Sequence, residues 1–496
     1  MEGVASVSKC RIIQGGMGVA ISDWQLASAV SRTGQLGVVS GTALEVVCAR
    51  RLQLGDPGGH VRRALAHFPD PDVAEWILSA YFVEGGRGST ETFAAVPRWT
   101  LVPSRRLQEL TVAGAFVEVF LAKEGHDGVV GMNLMRKIEL PLPFAAYGAM
   151  LAGVDALLVG AGNPADVPEL VRRLARGEDV AWSVRVQGAT SADGDNAVVI
   201  SPSELGARLA PALAAPQVLA IVASFDLAAG LAGDALTRPD GFVLEGPSAG
   251  GHNAPPRGPR RVDPDGQPVY DDRDVVDIPA VVDLGLPTWL AGSYGSPGRL
   301  GEALDAGAHG VQIGTAFALC QESGLASDLK EQVLSQVSGG DTRVRADWRV
   351  SPTGFPFRVL DVEGTLSDPA VQADRRKVCD LGVLRSPYRS PSGDIDYRCP
   401  AEPIDIYVRR KGGREANTEG RVCLCNALLA AAGLPQRRPH GALEPALVTT
   451  GSDFDPVVAL MGAADDGRTY TAADVVAFLL GTPKPPEAMV GTATAH

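Results

Sequence analysis

The residues best suited to chemistry lie in the stretch EGPSAGGHNAPPRG, residues 245–258. It places one histidine, His252, among small residues directly after a short hydrophobic run. Gly250 and Gly251 precede it and allow the backbone to bring the imidazole close to a ligand. With an ordinary pKa of about 6.5, an imidazole can accept a proton near neutral pH. A lone histidine is more often structural than catalytic, so the elements around it must decide between the two interpretations.

Those elements are short apolar runs bounded by glycine, and they recur along most of the chain. They are near-continuously apolar, which is typical of strands that crossover helices bury on both faces. Ala- and Leu-rich helical segments lie between several of them, for example residues 23–30 and 300–306. This alternation predicts an α/β fold with a parallel sheet. The runs are residues 11–14, 36–39, 129–133, 155–159, 180–184, 218–222, 241–245, 288–291 and 310–314.

We predict that the sheet closes into a TIM (β/α)8 barrel, with an open doubly wound sheet as the alternative. The runs exceed the eight strands of a barrel by one, and the surplus falls in residues 180–200. There, residues 180–187 and 197–200 flank a turn-like segment and are expected to form a hairpin. The barrel is favoured because the candidate chemistry follows strands from early to late in the chain, as barrel sites do.

The predicted barrel occupies residues 1–345 and carries two interruptions. Residues 45–128 are expected to form a helical insertion between the second and third barrel strands. Residues 253–275 are rich in Pro, Arg and Asp, and they predict a long loop over the barrel mouth. The strand–helix rhythm stops after about residue 345, so residues 346–496 are expected to form a C-terminal extension that packs on the barrel.

The composition of the chain limits the classes of partner that it is expected to bind. The chain has 496 residues, 45% of them hydrophobic, and a formal net charge of -13. An acidic chain is a poor general binder of nucleic acid or membrane surfaces, so a small or neutral substrate is expected. No signal-peptide pattern and no long uncharged apolar stretch occur, which favours a cytoplasmic protein. Whether the chain forms a homo-oligomer stays open.

Four of the seven cysteines lie in the last third of the chain. Four thiolates can bind zinc or an iron–sulfur cluster, but the usual ligand pair has two to four residues between its cysteines, and a Cys-x-Cys pair with two distant partners matches it poorly. We therefore expect buried, unpaired thiols and no metal. The four are Cys379, Cys399, Cys423 and Cys425.

Two glycine-rich places point to a cofactor. The segment QGGMG, residues 14–18, ends the first strand, where adjacent glycines either let a ligand approach the main chain or form a plain turn. Residues 290–294 and 310–315 follow the last two strands, where barrels bind phosphate through backbone N–H groups and a helix amino terminus. Together these last two predict a phosphate-bearing cofactor or, alternatively, a phosphorylated substrate.

Taken in order, these segments resemble the nitronate monooxygenase family, formerly called 2-nitropropane dioxygenases, which are FMN-dependent TIM-barrel enzymes. The likeness covers roughly residues 10–360. The matching segments are IIQGGMG at 12–18, GMNL at 131–134, VASFDLAAGLAG at 222–233, EGPSAGGH at 245–252, WLAGSYGSPGRLGEALDAGAHGVQIGTAF at 289–317 and SPTGFPFRV at 351–359.

The resemblance implies FMN as cofactor and oxidation of a nitronate or nitroalkane by O2 to a carbonyl compound and nitrite. It places His252 beside the flavin, where it would take a proton from a nitroalkane or orient the nitronate. It also implies a set of cofactor-binding residues, in which Gly292, Ser293, Gly314 and Thr315 hold the phosphate. The rest of the set is Gln14, Gly15, Gly16, Met17, Asn133, Ser224, Gly250 and Gly251.

Two positions depart from the family pattern. Ser248 stands where Glu precedes Ala-Gly-Gly-His, and Ser293 replaces a glycine of the phosphate loop. The insertions and the long tail are also similar to a sister branch, the trans-acting enoyl reductases of polyketide and fatty-acid assembly lines, which use NADPH. That branch would bring an acyl carrier protein as partner, and the basic run at residues 408–415 could meet it. A flavin-binding subunit without its own chemistry is the third alternative.

Overall fold

A closed barrel of eight parallel strands forms the centre of the computed structural model. The structure describes residues 6–190, 196–205, 213–438, 441–464 and 466–483. The predicted TIM barrel is therefore confirmed, and the open sheet is excluded. The barrel strands are β1 (Ile12–Gln14), β2 (Gly37–Ser40), β3 (Val130–Met135), β4 (Ala156–Gly160), β7 (Gln217–Val222), β8 (Gly241–Glu245), β9 (Thr288–Ala291) and β10 (Gly310–Ile313).

Neighbouring barrel strands pair in parallel register around the whole circle. The spatial order is β1-β10-β9-β8-β7-β4-β3-β2, so each strand lies beside its neighbour in the chain once the hairpin is set aside. Closure comes from a parallel bridge between Ile13 of β1 and Leu36, just before β2. Its hydrogen bonds run from the Gln14 amide to the Leu36 carbonyl at 2.9 Å and from the Leu36 amide to the Ile12 carbonyl at 3.1 Å.

Alternate strand residues serve two different cores, which explains the near-continuous apolar runs. On β8, Val243 points into the barrel and packs with Ile13, Leu219 and Trp289. Its neighbour Phe242 faces outward and joins the core between the sheet and the helices. Because both faces are covered, a polar side chain on either face would lose its water without gaining a partner.

Sixteen helices are described, most of them around the barrel. Helix α1 follows β1 and α10 follows β9, as the sequence predicts. They are α1 (Trp24–Ser31), α2 (Leu44–Gln53), α3 (His60–Leu65), α4 (Pro71–Tyr81), α5 (Arg105–Lys123), α6 (Leu142–Leu151), α7 (Val167–Ala175), α8 (Phe225–Ala232), α9 (Ile278–Val282), α10 (Pro297–Asp305), α11 (Thr315–Ala318), α12 (Ser327–Gly339), α13 (Pro369–Asp374), α14 (Leu424–Ala431), α15 (Asp455–Ala463) and α16 (Ala472–Leu480).

The surplus run forms the expected hairpin. Strand β5 (Val180–Ser183) pairs antiparallel with β6 (Ala197–Ile200) and stays outside the barrel. Residues 191–195 of the predicted turn lie outside the described residues. Trp182 of β5 is buried in the outer core, so the hairpin covers one side of the barrel helices.

Four helices, α2 to α5, lie between β2 and β3, where the helical insertion is expected. Helix α5 is almost wholly buried and packs against α1, α2 and α6, so it takes the place of a barrel helix. A buried ion-pair cluster joins the helical insertion to α1 of the barrel. Arg51 of α2 lies 3.1 Å from Asp23, which caps α1, and Arg51 also contacts Glu118 of α5.

The C-terminal extension, which begins at about residue 346 and is called the tail below, packs back on the barrel. Strands β11 (Val344–Asp347) and β12 (Phe357–Leu360) form an antiparallel pair, as do β13 (Ser386–Arg389) and β14 (Ile395–Arg398). Helix α16 packs on α1 and α10, and the buried Tyr470 hydroxyl donates to the Ala316 carbonyl at 2.9 Å. Since β11 and β12 span residue 345, the division at that residue stays a prediction.

Among the described helices, none combines the length and the apolarity that crossing a lipid bilayer requires.

Candidate active site

A cavity of about 250 Å³ opens at the carboxyl ends of the barrel strands. Its wall takes residues from every barrel strand or from the loop after it, which is where a TIM barrel places its chemistry. The tail supplies the rest, from residues 357 to 457. Among the described residues that line it, none is Lys or Arg, and the carboxylates are Glu245 and Asp453. An anionic ligand group would therefore be met by backbone N–H groups and hydroxyls.

The glycines after β1 are held against β3. A Cβ on Gly16 would lie 2.3 Å from the Cβ of Asn133, so no larger residue fits without moving one strand end. The Asn133 amide donates to the Gly16 carbonyl at 3.3 Å. The close approach that adjacent glycines suggest is therefore an approach to Asn133, and both residues line the cavity.

The loop after β9 has a constrained backbone at the opposite wall. Gly292 has φ +93° and Ser293 has φ +59°, the left-handed region that a side chain rarely adopts. After the neighbouring strand β10, Thr315 begins α11, and its Oγ1 accepts a hydrogen bond from the Gly451 amide at 2.9 Å. Strained backbone in a loop that lines a cavity is a common feature of binding sites.

The tail completes this end of the cavity. The Gly251 amide donates to Thr449 Oγ1 at 2.9 Å, which fastens the histidine loop to the tail. A Cβ on Gly250 would lie 2.8 Å from the Thr450 carbonyl carbon, so the two backbones are nearly in contact. The Thr450 hydroxyl is buried without a hydrogen-bond partner among the described residues. A buried hydroxyl of this kind fits a ligand oxygen, because an unpaired one is unfavourable.

Most of the predicted cofactor-binding residues lie on this one cavity. Two do not. The buried Gln14 side chain donates to Ser22 Oγ at 2.8 Å and accepts from the Val38 amide at 2.9 Å, so it holds strands together. Ser224 caps α8 by accepting from the Leu227 amide. Those on the cavity are Gly15, Gly16, Met17, Asn133, Gly250, Gly251, Gly292, Ser293, Gly314 and Thr315, together with His252.

His252 faces the cavity with its ring packed edge-on against Phe357, at 4.8 Å between centroids. Its Nε2 shares a 2.6 Å hydrogen bond with Ser351 Oγ, which in turn bonds Thr353 Oγ1 at 2.8 Å. Burial, together with the charge of Lys137, lowers the pKa of His252 to about 3. At neutral pH the imidazole is therefore uncharged and a weak base, and the catalytic role of His252 stays a prediction.

Lys137, just beyond the end of β3, is a site residue that the sequence analysis does not single out. Its Nζ is buried over the ring of Phe355 and has no hydrogen-bond partner among the described residues. The neighbouring Arg136 is fully paired, at 2.7 Å from Asp166 and 3.0 Å from Glu139. Burial lowers the pKa of Lys137 to about 6. A buried amine with a pKa shifted toward neutrality, close enough for its charge to act on His252, is typical of a functional site.

Glu245 ends β8 and lines the cavity. Burial raises the pKa of its carboxyl to about 7. Glu245 lies in the same stretch as His252, and the sequence could have indicated it as a site residue. A carboxylate at the end of an otherwise apolar strand must face either the barrel mouth or the core. A carboxyl that lines a cavity and has a pKa shifted toward neutrality is typical of a functional site.

The fold and the cavity define a TIM-barrel protein whose ligand site is shared between the strand ends and a C-terminal tail. Residues 152–361 match the model of the nitronate monooxygenase family, so the resemblance seen in the sequence is confirmed over that part of the chain. The match supports an oxidoreductase enzyme. No curated protein matches the chain by sequence.

Three solved structures are similar in fold. FabK from Thermotoga maritima is 16% identical, with coverage of 95% of this chain and 92% of that chain and a TM-score of 0.44. A nitroalkane oxidase from Streptomyces ansochromogenes is 14% identical, with 95% of each chain covered and a TM-score of 0.46. The enoyl reductase domain of MlnA from Bacillus amyloliquefaciens is 13% identical, with coverage of 95% and 93% and a TM-score of 0.48. Identities this low do not identify a substrate.

Proposed function

We propose that this protein is an FMN-dependent oxidoreductase that oxidises a nitronate with O2. Two nitronate anions consume one O2: each nitronate carbon gains one oxygen atom, its C–N bond breaks, and the products are two carbonyl molecules and two nitrite ions. The observation that carries the choice of substrate is a cavity-facing His252 whose imidazole is neutral and a weak base. Because a weak base does not readily deprotonate a carbon acid, the site favours a substrate that arrives already as an anion.

The cavity residues fit FMN. The buried Thr450 hydroxyl, the Thr315 hydroxyl and the main chain at Gly292 and Ser293 could hold its phosphate. Gly15, Gly16 and Asn133 line the cavity and could present main chain and a side-chain amide to the isoalloxazine ring. When bound, FMN supplies the electron chemistry, and the protein supplies binding and orientation.

His252 would orient the substrate. Its Nε2 is engaged by Ser351, and among the described residues no partner is bonded to Nδ1, which leaves that nitrogen for a ligand. A neutral imidazole can donate a hydrogen bond to a nitronate oxygen, but with a pKa of about 3 it is a poor base toward a neutral nitroalkane. The site therefore favours the nitronate over its parent nitroalkane.

The first test is the absorption spectrum of the purified holoenzyme, recorded anaerobically. FMN gives bands near about 370 and 450 nm. Bleaching by propionate-3-nitronate alone supports the proposal. Bleaching by NADPH alone supports the alternative, an NADPH-dependent enoyl reductase. Absence of flavin after incubation with FMN would remove the basis of the cofactor assignment.

The second test separates substrate recognition from flavin binding. Lys137→Met should leave flavin content unchanged, because Lys137 does not line the cavity, and it should raise KM for the nitronate only near or below pH 6, where the amine carries a proton. Lys9→Met, at an exposed lysine before β1, is the matched control and should leave KM unchanged. Activity that is unaffected in His252→Ala would instead support a flavin-binding subunit without its own chemistry.

A further inference from the structure

The segment SPTGFPFRV, residues 351–359, packs against the histidine loop and holds its main chain. The Asn253 amide donates to the Pro356 carbonyl at 2.9 Å, and the Arg358 amide donates to the Gly251 carbonyl at 2.9 Å. These two bonds lie on either side of the histidine, so the backbone that carries the imidazole is fixed. The first residue of the segment contacts the ring itself.

That residue, Ser351, is wholly buried and does not line the cavity. Its Oγ lies 2.6 Å from His252 Nε2 and 2.8 Å from Thr353 Oγ1. The Thr353 amide also donates to Ser351 Oγ, at 3.2 Å. Arg421 of the tail donates to the Ser351 carbonyl, which holds the serine in place. Ser351 can therefore act on the cavity through the imidazole of His252.

The hydrogen bonds between His252, Ser351 and Thr353 must all run in one direction. Since the Thr353 amide occupies one lone pair of Ser351 Oγ, this oxygen can donate one further bond and accept one. Either Ser351 donates to Nε2 and accepts from the Thr353 hydroxyl, or Nε2 donates to Ser351 and Ser351 donates to Thr353. A neutral imidazole carries one proton, which is on Nδ1 in the first arrangement and on Nε2 in the second. The direction of the bonds therefore decides whether Nδ1 can donate to a ligand.

The distance between Ser351 Oγ and His252 Nε2 favours the serine as the donor. At 2.6 Å it is shorter than the roughly 2.7–3.2 Å that is usual when an N–H group donates to oxygen. We infer that Ser351 is a positioning residue: it donates to Nε2, keeps the proton of His252 on Nδ1 and so makes Nδ1 a hydrogen-bond donor for an anion. Since no Lys or Arg among the described residues lines the cavity, an anion there depends on such donors. The bond to a nitronate rests on the proposed function, whereas the position of the proton does not.

The first test is ¹⁵N NMR of the wild-type protein, as purified, with labelled histidine. The signals of His252 are identified as those that disappear in His252→Gln. At neutral pH, Nδ1 should carry the proton and Nε2 should not. A proton on Nε2, or a mixture of the two tautomers, would overturn the inference. The measurement needs no substrate and no folded Ser351 variant, so it is decisive even if the nitronate proves not to be oxidised.

The second test is Ser351→Ala, which removes the donor to Nε2. The proton of His252 should then no longer be confined to Nδ1, and KM for propionate-3-nitronate should rise about five- to tenfold with little change in kcat. The matched control is Ser31→Ala, which removes a buried hydroxyl that donates to the Val129 carbonyl at 2.6 Å, and which should change neither quantity. A Ser351→Ala protein with the wild-type tautomer and KM would refute the positioning role. If the proton moves but wild type oxidises no nitronate, the proposed function fails and the positioning role stands.

Discussion

Replacing Lys137 with Met should stabilise the protein, and by an amount that depends on pH. Met keeps the length and the apolar contact with Phe355, and a thioether packs well on an aromatic ring. What the change removes is an amine whose Nζ is buried without a partner among the described residues. Residues that are unfavourable for folding but suited to a ligand are typical of active sites.

The size of the effect follows from the pKa. Burial lowers the pKa of Lys137 from 10.5 to about 6, so at pH 7.5 the folded chain must release a proton that the unfolded chain keeps. At 1.36 kcal/mol per pH unit between 7.5 and 10.5, this costs about 4 kcal/mol of stability, and at pH 9.5 about 1 kcal/mol. Because the unfolded chain binds more protons from pH 6 to 10.5, wild-type stability rises with pH through that window, and the advantage of the variant shrinks.

The assay is thermal unfolding of wild type and variant at several pH values, at one fixed FMN concentration. With an unfolding entropy of about 2.1 cal/mol/K for each of 496 residues, 1 kcal/mol corresponds to about 1 °C in Tm. The variant should therefore melt about 4 °C higher at pH 7.5 and about 1 °C higher at pH 9.5. Lys9→Met should show no such trend. A variant that melts lower than wild type, or a difference that does not change with pH, would refute the placement of Lys137 as a buried, unpaired amine.

Three further substitutions test the cavity. Gly16→Ala forces a Cβ to within 2.3 Å of the Asn133 side chain, so it should destabilise the folded protein by about 1–3 kcal/mol and lower flavin content. The control is Gly230→Ala, at an exposed helix position where a Cβ would meet nothing within 4 Å; this variant should melt at the wild-type temperature or slightly higher. Thr450→Val should leave the flavin-free protein as stable as wild type but weaken FMN binding roughly tenfold, as measured by fluorescence titration; an unchanged Kd would mean that the hydroxyl does not meet the phosphate. Glu245→Gln should remove an ionisation near pH 7 from the pH profile of kcat/KM; a profile that keeps this ionisation would assign it to another group. Because burial raises the pKa of this carboxyl from 4.5 to about 7 on folding, the Tm advantage of the variant should grow from pH 4.5 to pH 7 and stay constant above it.

The barrel could be predicted because its determinants are local. Each run such as residues 241–245 carries apolar residues for both faces, and the helices between the runs have their own capping residues, such as Asp23 for α1 and Ser296 for α10. The hairpin at residues 180–200 was also recognisable, because two apolar segments flank a turn-like stretch. These signals depend on spacing along the chain, which one sequence displays completely.

The site could be predicted only in part, since its remaining residues are set by contacts between distant segments. Nothing at residues 449–451 indicates that Thr449 will bond the Gly251 amide, because that hydrogen bond joins positions far apart in the chain. Likewise, Lys137 reads as an ordinary lysine after a strand until the fold buries its amine. The pKa of His252 could not be predicted from the sequence for the same reason: burial decides it, and burial is a property of the whole fold.

The contacts between the histidine loop and the tail also explain why barrel and tail must act as one unit. Gly250 packs against the Thr450 main chain, Gly451 bonds Thr315, and α14 supplies Leu424 and Cys425 to the cavity wall. A ligand that fills the cavity must therefore touch both parts, and its binding energy depends on their relative position.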